Sequence, residues 1–310
     1  MANNQSSIKI INRQSSMVNG QLSIVNKLRV VFFGGGRYVL PVLKTLNEHF
    51  KVALALTTEK NENEPISKFC AENKINCLRQ STFNKIVNGQ LSIINAPVAI
   101  LANFGLIIPK DVLDIFPKGI LNIHPSLLPK YRGPTPVQTA ILNGDKETGV
   151  TIIKLDEEID HGPVVAKTEE PVFSADTSES LCKRLFEKGA QLLPKVLTEY
   201  INGTLMPKKQ DHSKATFTKS LTRQDGYIDL NSQWSIINSQ LSRMIRAYHP
   251  WPGVWTRFSK RGQTSLGKVI KFLPDKKLQV EGGKPMSYKD FLNGYPEAEE
   301  ILNKFSIYNS

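Results

Sequence analysis

Two residues at the end of an apolar run carry the most specific chemistry in the sequence. Asn122 and His124 stand two apart in Ile120-Leu-Asn-Ile-His124, and Pro125 follows at once. Alternate residues of a strand share a face, so the amide and the imidazole are expected side by side. In an open α/β sheet the carboxyl ends of strands are where ligands bind. An amide donor beside a histidine donor suits an oxygen that gains negative charge in a transition state. A carboxylate to orient the imidazole is available in Asp156-Glu-Glu-Ile-Asp160-His-Gly-Pro163, where Asp156 and Asp160 both qualify. The Gly162-Pro163 bend is able to carry Asp160 back over the sheet. The same Asn-x-His pair also serves elsewhere as a purely structural hydrogen-bonding pair, and spacing alone does not separate the two.

Other sites are weaker. His49 ends a helical pattern, His161 neighbours an acidic loop, His212 lies in a polar stretch, and His249 precedes Pro250. No two histidines have a metal-ligand spacing, so no metal is expected. Cys70, Cys77 and Cys182 form no metal pair and cannot all be bridged, which fits a reducing cytoplasm. Gly34-Gly35-Gly36 resembles a dinucleotide turn, but Val39 stands where the third glycine of the fingerprint belongs. A tight strand-to-helix turn is expected there instead.

The elements that must position these residues read as α/β. Short apolar runs at 30–33, 51–57, 76–80, 98–102 and 120–123 alternate with helical patterns at 37–46, 65–74 and 135–142. Strand, helix, strand in succession predicts βαβ units and a mostly parallel sheet. Strands at 150–155 and 164–172 flank a turn, and 178–200 is a long amphipathic helix. After Gly203 short β-like pieces alternate with Gly and Pro, with one helical stretch at 235–247, as a small appended barrel would show. Residues 1–27 are polar and aperiodic, predicting a poorly ordered extension. Within it residues 18–26 nearly repeat at 87–95, too short and unevenly spaced for a solenoid.

The chain has 310 residues, more than one ordinary core requires, so two domains are expected. No run approaches 18 apolar residues, which excludes a membrane span, and the first 15 residues lack the apolar stretch of a secretion signal. The formal net charge is +12, and it is unevenly placed. Residues 31–202 carry 19 basic and 19 acidic side chains; residues 203–310 carry 17 and 9. A neutral body joined to a basic third predicts a small-molecule site beside a polyanion-binding module.

The segment Asn122-Ile-His124-Pro-Ser126-Leu-Leu-Pro129-Lys-Tyr-Arg132-Gly133, with Asp160-His-Gly162-Pro163, resembles the folate-dependent formyltransferase superfamily. Arg132-Gly-Pro-Thr-Pro136, Ser213-Lys-Ala-Thr216, Asp225-Gly-Tyr-Ile-Asp229 and Ile245-Arg-Ala-Tyr-His-Pro-Trp-Pro-Gly253 resemble its methionyl-tRNA formyltransferase branch, as does the stretch 284–294. The resemblance covers residues 28–295. It implies a Rossmann-like formyltransferase domain over 28–204, a linker at 205–212, and an OB-like tRNA-binding domain over 213–310. It implies 10-formyltetrahydrofolate as donor, without a metal, and the α-amino group of methionyl-initiator tRNA as acceptor. Asn122, His124 and Asp160 become the catalytic trio, and Ser126, Leu127, Leu128 and Pro129 the folate-contacting loop. Lys208, Lys209, Lys214, Arg243, Arg246, Arg257, Lys260 and Arg261 are the candidate tRNA contacts. A cytoplasmic monomer is expected.

The chain departs from that pattern at Gly34-Gly35-Gly36-Arg37, where Gly-Thr-Pro-Glu is usual. It departs again at residues 57–65, short and acidic through Glu59, Glu62 and Glu64 where a long basic loop is usual, and the C-terminal barrel looks abridged. These departures imply poorer discrimination of initiator tRNA with formyl transfer retained. The alternatives are a sugar-nucleotide N-formyltransferase, which shares the trio, and a non-catalytic RNA-binding protein.

Overall fold

The computed structural model describes residues 27–58, 60, 62–79, 95–229, 238–258 and 267–299. The polar extension up to residue 26, both copies of the short repeat apart from Asn95, Glu59, Lys260 and Arg261 lie outside the described residues.

Seven strands form one sheet: β1 (Arg29–Gly34), β2 (Lys51–Thr57), β3 (Cys77–Arg79), β4 (Val98–Ala102), β5 (Ile120–His124), β6 (Glu147–Lys154) and β7 (Val164–Pro171). Their order is β3-β2-β1-β4-β5-β6-β7. The first five run parallel, and the β6–β7 hairpin joins β5 through an antiparallel pairing. The mostly parallel α/β architecture is therefore as expected.

Strand alternation sorts the sheet into two apolar faces. Val30, Phe32, Val98, Ile100, Leu121, Ile123, Val150 and Ile152 join one cluster. Val31, Phe33, Leu54, Leu56, Ala99, Leu101 and Ile120 join a smaller one on the other side, closed by Phe104, Val112 and Phe116. The first face is covered by α1 (Leu40–His49) and α5 (Ser178–Ile201). Helix α1 begins with Pro41 in its first turn and buries Val42, Leu43 and Leu46, one helical stripe. Helix α5 starts at a capping box between Thr177 and Ser180. It buries Leu181, Leu185, Gly189, Leu193 and Val196 at three- and four-residue spacing. A Cβ on Gly189 would stand 2.7 Å from Ile123, so the glycine lets the helix lie close against β5. The remaining helices here are α2 (Pro65–Glu72), α3 (Lys110–Leu113) and α4 (Pro136–Asn143).

The glycine triplet forms the expected turn from β1 into a single 3₁₀ turn, Arg37–Val39, before α1. Added Cβ atoms would meet Ala102 O 2.8 Å from Gly34 and Thr58 Oγ1 2.4 Å from Gly35, and Gly36 has φ +83°. Close approach at Gly34 and Gly35 and the positive φ of Gly36 account for these glycines. Arg37 pairs with Glu179 at the start of α5.

Beyond Gly203 the chain first crosses back over the sheet domain, then forms α6 (Asn238–Ala247) and a separate antiparallel sheet. Its strands are β8 (Val254–Phe258), β9 (Lys268–Leu273), β10 (Lys277–Val280) and β11 (Met286–Ser287), in the order β11-β10-β9-β8, followed by α7 (Tyr288–Gly294). This four-stranded unit is what stands, among the described residues, where the sequence predicts a small barrel. Its Val254, Ile270, Phe272, Leu278 and Phe291, and Leu241 and Ile245 of α6, belong to the same apolar cluster as the α1–α5 face of the large sheet. The two sheets share one core. Among the described residues no helix is long and apolar enough to cross a membrane.

Candidate active site

Because Leu121 and Ile123 face the larger core, Asn122 and His124 face the other side of the sheet. They follow Ile120 along that face and lie just beyond its apolar cluster, at the carboxyl end of β5. Both are buried. Asp160 reaches them from the β6–β7 connection. Its Oδ1 accepts a hydrogen bond from Asn122 Nδ2 at 3.1 Å and lies 3.4 Å from His124 Nδ1; its Oδ2 accepts from the Gly133 N–H at 2.8 Å. His124 Nε2 lies 2.9 Å from the Tyr131 carbonyl oxygen. Both ring nitrogens thus face oxygen acceptors. The three residues expected to act together meet at one point, and Asp160, rather than Asp156, is the carboxylate that reaches the imidazole. Asp156 instead pairs with His161 Nδ1 at 2.7 Å.

The backbone of this corner is unusual in two places. Asp160 has φ +48° and Tyr131 has φ +63°. Asp tolerates the left-handed region well, whereas a tyrosine there is held by its surroundings. Tyr131 OH donates to Asp145 Oδ2 and accepts from Asn143 Nδ2, each at 2.8 Å. Lys130 Nζ shares the same Asp145 oxygen at 2.8 Å. Burial would lower the Lys130 ammonium, but the hydrogen bonds and charges of Asp145 and Tyr131 together hold the group above the ordinary lysine range. Gly162 carries the bend, since a Cβ there would stand 1.8 Å from Lys154 O.

The loop Ser126–Pro129 follows β5. Ser126 and Leu128 are fully buried. Ser126 Oγ donates to Lys130 O at 2.6 Å, while Thr151 Oγ1 donates to Ser126 O and accepts from Leu128 N–H. Lys167 Nζ donates to Leu128 O at 2.7 Å. Leu127 and Pro129 keep some exposure. This is a loop of fixed shape, with two of its four side chains turned inward.

The basic candidates divide. Lys208, Lys209, Lys214 and Arg257 are exposed. Arg246 is half-buried on α6 and donates to Asp176 O at 2.8 Å, and burial lowers its guanidinium from the ordinary value. Arg243 packs against the end of α4, where a Cβ on Gly144 would meet its Nη1 at 2.6 Å. Of the acidic loop after β2, Glu62 lies 3.6 Å from Arg79, and Glu64 Oε1 accepts from the Lys60 N–H.

Sequence reasoning missed one group around the site. Gln210, in the expected linker, is buried. Its Nε2 donates to Asp160 O at 2.9 Å and Gly162 O at 2.7 Å, while its Oε1 accepts from Arg132 Nη2 at 2.8 Å. Arg132 Nη2 also donates to His212 Nδ1 at 2.8 Å, and the His212 ring stacks on His161 at 4.0 Å. A Gln within a polar, aperiodic stretch carries no signal of this. Thr216, four residues from His212, does close the Ser213–Thr216 segment that carries part of the family resemblance.

Among the described residues no group of three or more His, Cys, Asp or Glu could hold a metal ion. The arrangement offers an amide, an imidazole and a carboxylate, a set whose chemistry suits binding an oxyanion and moving a proton.

Sheet order and trio define a formyltransferase-type domain, and residues 50–197 match the family described as formyl transferase. A sugar 3N-formyl transferase, solved in the presence of dTDP and 5-N-formyl-THF, superposes with a TM-score of 0.57 at 19% identity, covering 84% of this chain and 98% of that one. A methionyl-tRNA formyltransferase of Roseiflexus sp. (strain RS-1) is 47% identical over 167 residues, 54% of this chain and 50% of that protein. The chain thus spans about half the length of relatives matched at that identity. One from Carboxydothermus hydrogenoformans (strain ATCC BAA-161 / DSM 6008 / Z-2901) is 32% identical over 302 residues, 86% of this chain and 97% of that protein. The chain belongs to the methionyl-tRNA formyltransferase family.

Proposed function

We propose that the protein transfers a formyl group from 10-formyltetrahydrofolate to the α-amino group of methionyl-initiator tRNA, for translation initiation. The observation that carries this reading is the convergence of Asn122, His124 and Asp160 at the buried end of β5. The nitrogen lone pair of the free amine attacks the formyl carbon, and the carbonyl oxygen becomes an oxyanion. Asn122 keeps a second amide hydrogen for that oxygen, and the His124 Nε2–H, held in place by the Tyr131 carbonyl, is shared with it. Asp160 orients the imidazole and helps pass the amine proton to the departing N10 of the folate. Collapse then breaks the bond from the formyl carbon to N10 and leaves the formamide. One oxyanion donor contributes about 3–4 kcal/mol, or roughly 10²–10³ in rate.

The reading assigns residues 28–204 to formyl transfer, the Ser126–Pro129 loop to the folate, and the basic region beyond 213 to tRNA, in a monomer acting in the cytoplasm. The solved sugar transferase keeps a second acceptor class open, as does the acidic loop after β2. The deciding assay supplies 10-formyltetrahydrofolate with either methionyl-tRNA or an amino-sugar nucleotide. Formylmethionyl-tRNA is the expected product; formylation of the sugar nucleotide alone, or of neither, overturns the reading.

A further inference from the structure

We propose that residues 208–218 form a positioning strap for the catalytic trio, in which Gln210 fixes Asp160 and Thr216 fixes the carbonyl that faces His124. This rests on the catalytic role proposed for the trio.

After a 3₁₀ turn at His212–Lys214, the end of the strap, Thr216 to Thr218, lies extended along residues 129–135. Thr216 N–H donates to Pro129 O at 3.2 Å, Arg132 N–H donates to Thr216 O at 2.8 Å, and Thr218 N–H donates to Arg132 O at 2.8 Å. Arg132 and Phe217 form a parallel bridge. At its start Lys208 exchanges two backbone hydrogen bonds with Val164, at 2.7 and 2.8 Å. The strap therefore touches both chain segments that build the site: the one after β5 and the one carrying Asp160.

Gln210 bonds directly to the backbone of Asp160, and Thr216 reaches His124 through Tyr131. Tyr131 N–H donates to Thr216 Oγ1 at 2.8 Å, which pins the left-handed tyrosine whose carbonyl faces His124 Nε2. Gln210 holds the peptide oxygens of Asp160 and Gly162, on both sides of His161, so that the left-handed aspartate has one orientation. Thr218 Oγ1 accepts from the Thr135 N–H at 3.1 Å and closes the turn that contains Gly133, the backbone donor to Asp160. A buried amide needs its partners. Gln210 has three, and two are carbonyls of the Asp160 loop. A glutamate of the same shape would still accept from Arg132 but would turn an acceptor toward both carbonyls.

The test uses the full chain with Gln210→Glu, Thr216→Val and Thr216→Ser, with His124→Ala alongside. kcat and KM are measured for 10-formyltetrahydrofolate and methionyl-tRNA. Gln210→Glu and Thr216→Val should lower kcat roughly ten- to hundred-fold, the cost of misplacing a reacting group by about an ångström. Both KM values should stay within about threefold, and Thr216→Ser, which keeps the acceptor oxygen, should restore turnover relative to Thr216→Val. Normal kcat in both, or a loss confined to the KM for tRNA, overturns the proposal and leaves the strap to tRNA binding. If Gln210→Glu does not fold, the Thr216 pair decides; if neither folds, the strap serves stability alone and the proposal falls. An inactive His124→Ala beside normal strap variants sinks only the positioning role, whereas an active His124→Ala sinks the trio with it.

Discussion

At the end of β5 Asn122, His124, Arg132 and Gln210 are buried, and each polar group of the corner has a named partner at a fixed distance. Asp160 accepts from Asn122 and Gly133, Arg132 grips Gln210 and His212, and His124 sits between two oxygens. By contrast, Lys208, Lys209 and Lys214 of the strap and Arg257 of β8 turn their side chains to the surface. In the proposed reaction the first region would act by placement, since a catalytic donor is useful only where charge develops. The second offers a charge density, which attracts a polyanion without specifying a geometry. Arg243 and Arg246 cross the line: counted with the basic surface, they are packed against α4 and the Asp176 loop. A net charge read from sequence does not tell which cations face solvent.

The largest effect should come from His124→Ala, with kcat reduced at least about 10²-fold and folding retained. Asp160→Asn should do comparable harm. Near-normal turnover in both, with an unchanged circular dichroism spectrum, would erase the contrast by showing that placement at β5 is not catalytic. Gly162→Ala comes next. Its methyl would collide with the Lys154 carbonyl, so a stability loss of about 1–3 kcal/mol is expected, together with lower kcat from a displaced Asp160. A variant with parental melting temperature and turnover would show that the loop has room the structure does not indicate.

A third change asks whether fixed charges away from the site stabilise without catalysing. Arg184 bridges Glu170 and Asp176, each at 2.7 Å, and Lys188 also reaches Glu170. Burial would raise both carboxyls, but the hydrogen bonds and charges of Arg184 on both, of Lys188 on Glu170, and of the Phe173 N–H and Ser180 on Asp176 hold them below their ordinary values. Groups depressed on folding stabilise above their unfolded pKa, about 3.9 for Asp and 4.3 for Glu, and lose that contribution as pH falls through the folded values. Arg184→Met should therefore cost about 1–2 kcal/mol at pH 7, between surface and buried ion-pair values. The melting-temperature gap to the parent should narrow as pH drops below about 4, with kcat nearly unchanged. A gap constant from pH 7 to pH 3 would contradict the assignment.

The smallest effect belongs to the surface. Neutralising Lys208 or Lys209 should lower the log–log salt slope of tRNA binding by roughly 0.7–0.9 for each phosphate no longer paired with a cation. Arg246→Met should reduce the melting temperature and leave that slope alone. An altered slope for Arg246→Met would move this arginine back to the surface group.

What the sequence made legible follows from how local each signal is. The segments 51–57 and 98–102 became strands with those bounds, the first through its alternation and the second because a strand buried on both faces reads as a continuous apolar segment. Asn122 and His124 could be placed together because strand alternation acts over two residues. Helix α2 ends at Glu72, two residues short of the expected end, where the Asn73 side chain caps Phe69 O and Lys74 turns left-handed. The strap was illegible for the opposite reason. Gln210 meets Asp160 across 50 residues and Thr216 meets Tyr131 across 85, and polar side chains bonding to a distant backbone leave no period. Neither could composition separate Arg246 from Arg257, since both are arginines in a basic third.

The apolar cluster that runs from α1 and α5 into α6 and the small sheet bears on how the molecule comes apart. Leu181 and Leu193 share it with Ile245, Phe272 and Phe291, so opening either sheet exposes apolar surface of the other. Cooperative unfolding units follow such shared burial rather than the order of the chain. Calorimetry should therefore show one heat-absorption peak, with calorimetric and van't Hoff enthalpies in agreement. Two separate peaks would instead restore the seam near residue 205 as a boundary between independently melting units.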